Sequence, residues 1–204
     1  MNILNHDKSC SWNTIDWKSI RSRVFKWQRE IYIASKENNI VRVRTLQNRI
    51  LKSHDAKLLA VRKVTQDNKG RKPAGVDGIK SLNPKERLEF LTRLKFPTKS
   101  NPVRRVWIPK SGKSEKRPLG IPTIKDRCLQ ALFKLALEPE WEAKFEPNSY
   151  GFRPGRNAHD AIVAIQSCIQ KRSKFVFDAD ISKCFDKINH DALLNIIGLK
   201  GKYR

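Results

Sequence analysis

Three acids, Asp178, Asp180 and Asp186, lie in the run Lys174-Phe-Val-Phe-Asp-Ala-Asp-Ile-Ser-Lys-Cys-Phe-Asp186, which is the stretch best equipped for chemistry. Its Phe- and Val-rich opening reads as a buried strand. Strand side chains alternate faces, so Val176, Asp178 and Asp180 fall on one side and Phe175, Phe177 and Ala179 on the other. An ionised acid at the end of an apolar strand is costly to desolvate unless it is paired, hydrogen-bonded or bound to a cation, which favours a metal site. Standing alone, the stretch fits equally well a strand end with solvated or salt-bridged acids.

A second group consists of cations. Lys110, Lys113, Lys116 and Arg117 sit on a Gly-containing turn between Val103-Arg-Arg-Val-Trp-Ile-Pro109 and Arg117-Pro-Leu-Gly-Ile-Pro122, two strand-like runs that read as a hairpin. The placement suits a triphosphate, and it also suits a solvated hairpin tip. A third group is the loop Asn68-Lys-Gly-Arg-Lys-Pro-Ala-Gly-Val-Asp-Gly78, which could cradle phosphates or simply connect two elements. It is not a Walker motif, because no Gly-Lys-Ser/Thr opens a helix. In Asn148-Ser-Tyr-Gly-Phe-Arg-Pro-Gly-Arg156, aromatic and Arg side chains on a Gly-rich loop can stack on bases and bind a nucleic-acid backbone.

Charge narrows the partner. Of 204 residues, 43 are Lys or Arg and 20 are Asp or Glu, for a net charge of +23. Self-repulsion of that size is most readily neutralised by a polyanion, and nucleic acid is the usual one. Residues 1–130 hold 31 basic and 11 acidic residues, against 12 and 9 in residues 131–204, so the first part should make most phosphate contacts. No stretch approaches roughly 20 uninterrupted apolar residues and no apolar signal core follows Met1. The expectation is a soluble protein with no membrane partner. The four cysteines and four histidines are scattered, which suggests neither a zinc site nor a disulfide framework and fits a reducing compartment.

The positioning elements read mostly as helices. Residues 1–12 are polar and unpatterned, as a frayed terminus would be. Trp17, Ile20, Val24, Trp27 and Ile31 repeat at spacings of three and four, capped by Asp16 and ending near Asn38-Asn39. A second helical pattern runs from Val43 to Val64, so two basic helices form a hairpin whose cations Arg42, Arg44 and Arg49 are candidates for RNA contact, or for a solvated face. Asn83-Pro84 with Glu86 signals a capping box before Leu88, Leu91 and Leu94. Thr123 with Asp126 starts a helix ended by Pro139, Asn157 with Asp160 caps another, and Phe185 to Ile197 reads as a last helix.

In this order, Gly75-Val-Asp-Gly78, Ile108-Pro-Lys110, Arg117-Pro-Leu-Gly-Ile-Pro-Thr123, Ser149-Tyr-Gly-Phe-Arg-Pro-Gly-Arg156 with His159-Asp160-Ala161, and Asp178-Ala-Asp-Ile-Ser-Lys-Cys-Phe-Asp186 resemble the fingers and early palm of a bacterial or organellar group II intron reverse transcriptase, the intron-encoded maturase. The resemblance is close over residues 60–204 and looser over the basic helices before them. It implies that Asp180 is the first catalytic aspartate and ligates magnesium with the backbone carbonyl of Ile181. Phe185 would screen the sugar 2′ side of the incoming nucleotide, and Lys110 and Arg117 would hold its triphosphate. Tyr150, Arg153 and Arg156 would lie near template and primer, while Gly75, Val76, Asp77 and Gly78 would cover the template.

One departure matters. The family carries two further catalytic aspartates in a Tyr-x-Asp-Asp hairpin well downstream, and these 204 residues contain none. The expected fold is α+β: a basic helical extension over 1–66, fingers with a small antiparallel hairpin over 67–173, and the start of a palm over 174–204. Magnesium is expected only with the downstream palm, and the early palm strand should lack neighbours and leave an apolar face exposed. Two functions remain: the N-terminal part of an RNA-directed DNA polymerase, or an RNA-binding maturase fragment that aids splicing without polymerising. The implied partners are intron RNA, an RNA template with a DNA primer, and a downstream polypeptide that could complete the palm. The setting would be a bacterial cytoplasm or an organellar matrix or stroma.

Overall fold

The computed structural model describes residues 11–112 and 114–199. They fall into two compact units, Met1–Glu140 and Trp141–Arg204. Residues 1–10 of the terminus expected to fray lie outside the described residues, but Trp12 departs from that expectation. Ser11 caps a single 3-10 turn over Trp12–Thr14, and the Trp12 indole is buried, donating from Nε1 to Gln66 Oε1 at 2.9 Å. Its ring packs 4.9 Å from that of Trp17, with the Arg87 guanidinium 5.4 Å from its centroid. A large apolar body with one donor gains enough from burial to order its polar neighbours.

Helix α1, Trp17–Lys36, starts where Asp16 accepts the Ser19 N–H at 3.1 Å. It stops before Asn38, whose φ of 54° is left-handed, a conformation Asn tolerates better than most residues. Asn39 then caps α2, Ile40–Lys52. The single helix expected from Val43 to Val64 is broken at Ser53, which turns extended and caps α3, His54–Arg62, by accepting the Ala56 N–H. A hydroxyl that can satisfy a free amide competes with continued helix. A short π-helical turn follows over Lys63–Asp67. The buried side chains Trp12, Ile20, Leu58, Val61, Val64, Leu91, Leu94, Ile124, Cys128 and Leu129 form one cluster, and α2 buries Val43, Leu46, Ile50 and Leu51 in addition.

Helix α4, Pro84–Arg93, opens with the complete capping box of Asn83 and Glu86. Strands β1, Arg104–Pro109, and β2, Lys116–Ile121, pair antiparallel in a register from Arg104↔Ile121 to Pro109↔Lys116. The architecture is therefore α+β, helical with one small antiparallel hairpin. No helix among the described residues is long and apolar enough to cross a membrane.

Helix α5, Ile124–Glu142, does not end at Pro139 as the sequence suggests. Proline has no N–H for the Leu135 carbonyl one turn back, a loss that ordinarily kinks or stops a helix. Here the Gln28 side-chain amide donates to that carbonyl at 2.9 Å, and α5 continues for three more residues. In the second unit, Asn157 and Asp160 form a capping box on α6, Ala158–Ile169. The helix expected from Phe185 is divided into a 3-10 turn, Phe185–Lys187, and α7, His190–Ile197, which Asn189 caps. The strand expected from Phe175 to Asp180 is not formed: residues 173–181 have no regular structure, and Phe175, Val176 and Phe177 are fully exposed. A strand exists only as one side of a ladder, and among the described residues none pairs with this segment.

Because Gln28 replaces the donor that Pro139 lacks, Gln28→Ala should cost about 1 kcal/mol of stability. The cost should shrink in a Pro139→Ala background, where residue 139 regains an amide. A urea-denaturation double-mutant cycle reads the coupling, and simple additivity would refute it.

Candidate functional site

The hairpin in the first unit presents the phosphate-gripping candidates. Arg117 lies opposite Ile108 in the register, and the Lys110 N–H donates to the Glu115 carbonyl at 3.0 Å, extending the ladder by one pair. Residues directly opposite share a face and alternate residues return to it, so Lys110 and Arg117 project from the same side. Lys116, opposite Pro109, points to the other side, and Lys113 lies outside the described residues. Lys110 Nζ meets Glu115 Oε2 at 2.6 Å, and this ammonium holds the Glu115 carboxyl below the usual glutamate range. Both groups are solvated, so a polyphosphate could displace the carboxylate at little cost.

The 75–78 loop is fixed by close backbone approach. A Cβ on Gly75 would stand 2.7 Å from Thr123 Cα and 2.8 Å from its nitrogen, so only glycine fits there. Arg104 Nε donates to the Ala74 carbonyl at 2.8 Å and Arg127 Nη2 to the Pro73 carbonyl at 2.9 Å. Gly78 takes a φ of 70°. Val76, Asp77 and Ile79 of this segment join Phe90, Arg93 and Lys125 in lining a cleft of about 520 Å³. Its walls are mostly apolar and carry the cations Arg93 and Lys125 beside the Asp77 carboxylate.

The three arginines of α2 have separate fates. Arg44 Nη1 donates to Glu140 Oε2 and Gln47 Oε1, each at 2.7 Å, and Gln47 Nε2 donates to the same Glu140 oxygen at 2.7 Å. Glu140 is 1% and Gln47 0% exposed, so Arg44 serves the interior and is withdrawn from the expected RNA face. The Arg49 guanidinium lies 4.7 Å from the Trp27 ring centroid, and Arg42 approaches Glu30 only to 4.0 Å.

In the second unit Arg153 also turns inward. Its Nη2 and Nε donate to the Glu142 carboxylate at 2.6 and 3.1 Å, and its Nη1 to the carbonyls of Glu146 at 2.6 Å and Ser149 at 2.8 Å. At 8% exposure it is the internal strut of the 148–156 loop instead of a template contact. The Arg153 hydrogen bond holds the Glu142 carboxyl below its ordinary value. Arg156 is exposed and Tyr150 half-buried, the guanidinium 5.6 Å from the ring centroid. Phe152 beside them is fully exposed with a left-handed φ of 58°.

Asp180, Ile181 and Phe185 are all exposed, Phe185 on its 3-10 turn. Among the described residues no three His, Cys, Asp or Glu side chains gather as a metal site would require, so Asp180 and its neighbours do not by themselves fit a magnesium ion. Burial pushes the Cys128 thiol up to about 12, which makes it inert core.

The internal partners Gln28, Gln47 and Glu140 escaped the sequence reading, although a signal existed for one. Cys128, Leu132, Ala136 and Glu140 recur every four residues, which puts the acid on the buried stripe of α5.

Comparison with known proteins brings these pieces together. Residues 12–94 match the family described as the N-terminal domain of reverse transcriptase, and residues 108–198 match reverse transcriptase (RNA-dependent DNA polymerase). Protein YkfC of Escherichia coli (strain K12) is 37% identical over 148 residues, 66% of this chain and 38% of that protein. The group II intron-encoded protein LtrA of Lactococcus lactis subsp. cremoris is 37% identical over 138 residues, 66% of this chain and 23% of that one. Maturase-like protein 1 of Euglena gracilis is 33% identical over 192 residues, 87% of this chain and 40% of that one. The chain thus spans well under half the length of these curated relatives.

Arg44→Gln should lower stability by about 3 kcal/mol, because it strands a buried carboxylate, whereas Arg42→Gln should change it by less than about 0.5 kcal/mol. Equal melting temperatures for the two variants would contradict the internal role of Arg44. The depressed Glu142 acidity carries its own sign: the pairing stabilises fully above the ordinary value of 4.5 and is lost as pH falls through the lower folded value. Thermal unfolding followed below pH 4.5 should therefore show an acid-dependent loss of stability that Arg153→Gln flattens.

Proposed function

Because the chain belongs to the family of group II intron-encoded reverse transcriptases and maturases, we propose that it forms the N-terminal part of an RNA-directed DNA polymerase that also binds its intron RNA. On this reading residues 1–66 are the basic extension, 67–173 the fingers region and 174–204 the start of the palm. The observation that carries the nucleotide-binding role is the hairpin, whose Lys110 and Arg117 share one face with only a solvated carboxylate in competition. The closely seated 75–78 loop, with Gly75, Val76, Asp77 and Gly78, would cover the template. Tyr150 and Arg156 would meet template and primer, and Phe185 would screen the sugar.

Magnesium serves this family's polymerase chemistry, yet the described carboxylates do not assemble a site for it. We assign Asp180 and the Ile181 carbonyl as ligands only in company with downstream carboxylates, from the same chain or from a second polypeptide that completes the palm. The alternative, an RNA-binding maturase unit that does not polymerise, is favoured by one contrast. The basic helices are capped and bury their apolar faces, while the acidic segment is exposed and without regular structure. The setting on this reading is a bacterial cytoplasm or an organellar matrix or stroma.

Primer extension and RNA binding measured side by side decide between the two. In the 204-residue chain, Asp180→Asn should leave RNA binding unchanged; in a chain continued through a Tyr-x-Asp-Asp hairpin it should abolish DNA synthesis. Full-rate synthesis by that extended variant would sink the catalytic assignment. In the same extended protein Arg117→Ala should raise KM for nucleotide roughly tenfold or more, since a charge-assisted phosphate contact is lost. Binding to structured intron RNA should weaken steeply as salt rises, and a flat salt response would remove the polyanion reading.

A further inference from the structure

The exposed face of α1 carries a feature that folding does not explain. Taken at 100° per residue, Lys18, Arg21, Phe25, Arg29, Tyr32 and Lys36 fall along one stripe of the helix, roughly 27 Å long. All six are exposed, Phe25 at 66%. The opposite face, with Ile20, Val24, Ile31 and Ala34, is the one that packs inward. Cations and aromatics thus alternate along the stripe, and Lys36 Nζ lies 5.8 Å from the Tyr32 ring centroid. No acid interrupts it: Asp16 is spent on the cap, and Glu30 lies around the helix toward Arg42.

Cations alone would suit any polyphosphate backbone. Rings presented between them suit only a strand whose bases are unstacked, because paired bases offer no face to stack on. We infer that the Lys18-to-Lys36 face of α1 binds unpaired nucleotides of RNA, with Phe25 and Tyr32 stacking on bases and the flanking cations holding phosphates. The inference rests on the proposed RNA-binding role and names the class of RNA segment that one surface takes.

The test uses the 204-residue chain and two synthetic RNAs of equal length, one a hairpin with an eight-nucleotide loop and one a fully paired duplex. Phe25→Leu combined with Tyr32→Leu keeps the exposed side chains apolar but removes the rings. It should weaken binding of the looped RNA at least tenfold and leave duplex binding within twofold. Lys18→Gln with Arg29→Gln should weaken both and make the salt dependence shallower. Ultraviolet crosslinking of the unmodified chain to the looped RNA should mark the peptide bearing Phe25 or Tyr32. Unchanged binding of the looped RNA by the ring variant, or equal losses on both RNAs, would overturn the inference and assign this face to a protein partner or to none. If the unmodified chain binds neither RNA, the RNA-binding reading itself falls along with it.

Discussion

Among the described residues Glu140 is the most deeply buried charged side chain. Removing such a charge from water costs several kcal/mol unless its oxygens are fully engaged. Arg44 and Gln47 from α2 both aim at one of its oxygens, and Ser35 at the end of α1 donates to its backbone carbonyl at 3.1 Å. The three helices are therefore held in one relative position by an interaction that tolerates little displacement. The Gln28 amide seated on the Leu135 carbonyl reinforces the same junction. Since α5 begins directly after β2, and Thr123 at that point meets the Gly75 backbone, the anchor at one end of α5 fixes the frame on which the loop and hairpin are mounted.

A physical division follows from where such interactions occur. The helical region has a buried cluster, capped ends and an interior ion pair, so its surface cations are displayed from a rigid body. The 173–181 segment has none of these, and its Phe and Val side chains meet solvent. Apolar residues displayed in this way gain about 25 cal/mol for each Å² they can later cover. The cations of the hairpin are set on a paired ladder, while Asp180 lies in a stretch without regular structure.

Much of this was legible in the sequence, and most of the failures share a cause. Local signals held: Asp16, Asn83 with Glu86, and Asn157 with Asp160 cap the helices they were expected to cap, and the hairpin forms where Gly and Pro punctuate two β-prone runs. Two misreadings were local, Ser53 and Asn189 capping new helices inside runs expected to be continuous, and the others arose where another part of the chain supplied what the local sequence lacked. Pro139 stops no helix because Gln28 lends a donor, and Trp12 is ordered because Gln66 and the core receive it. Arg44 and Arg153 look like surface cations until Glu140 and Glu142 are seen beside them. A strand at Phe175 is readable from propensity, yet pairing requires a neighbour that propensity does not supply.

The inward strut of Arg153 has a kinetic consequence. With its donors fastened to Glu142, Glu146 and Ser149, the loop holds Phe152 and Arg156 outward before any partner arrives, even at the expense of a left-handed Phe152. The entropy of ordering that loop is settled during folding and not at encounter. On the proposed reading, capture at this surface should be governed by collision frequency and by the steering field of the surrounding cations, with no slow search for a competent shape.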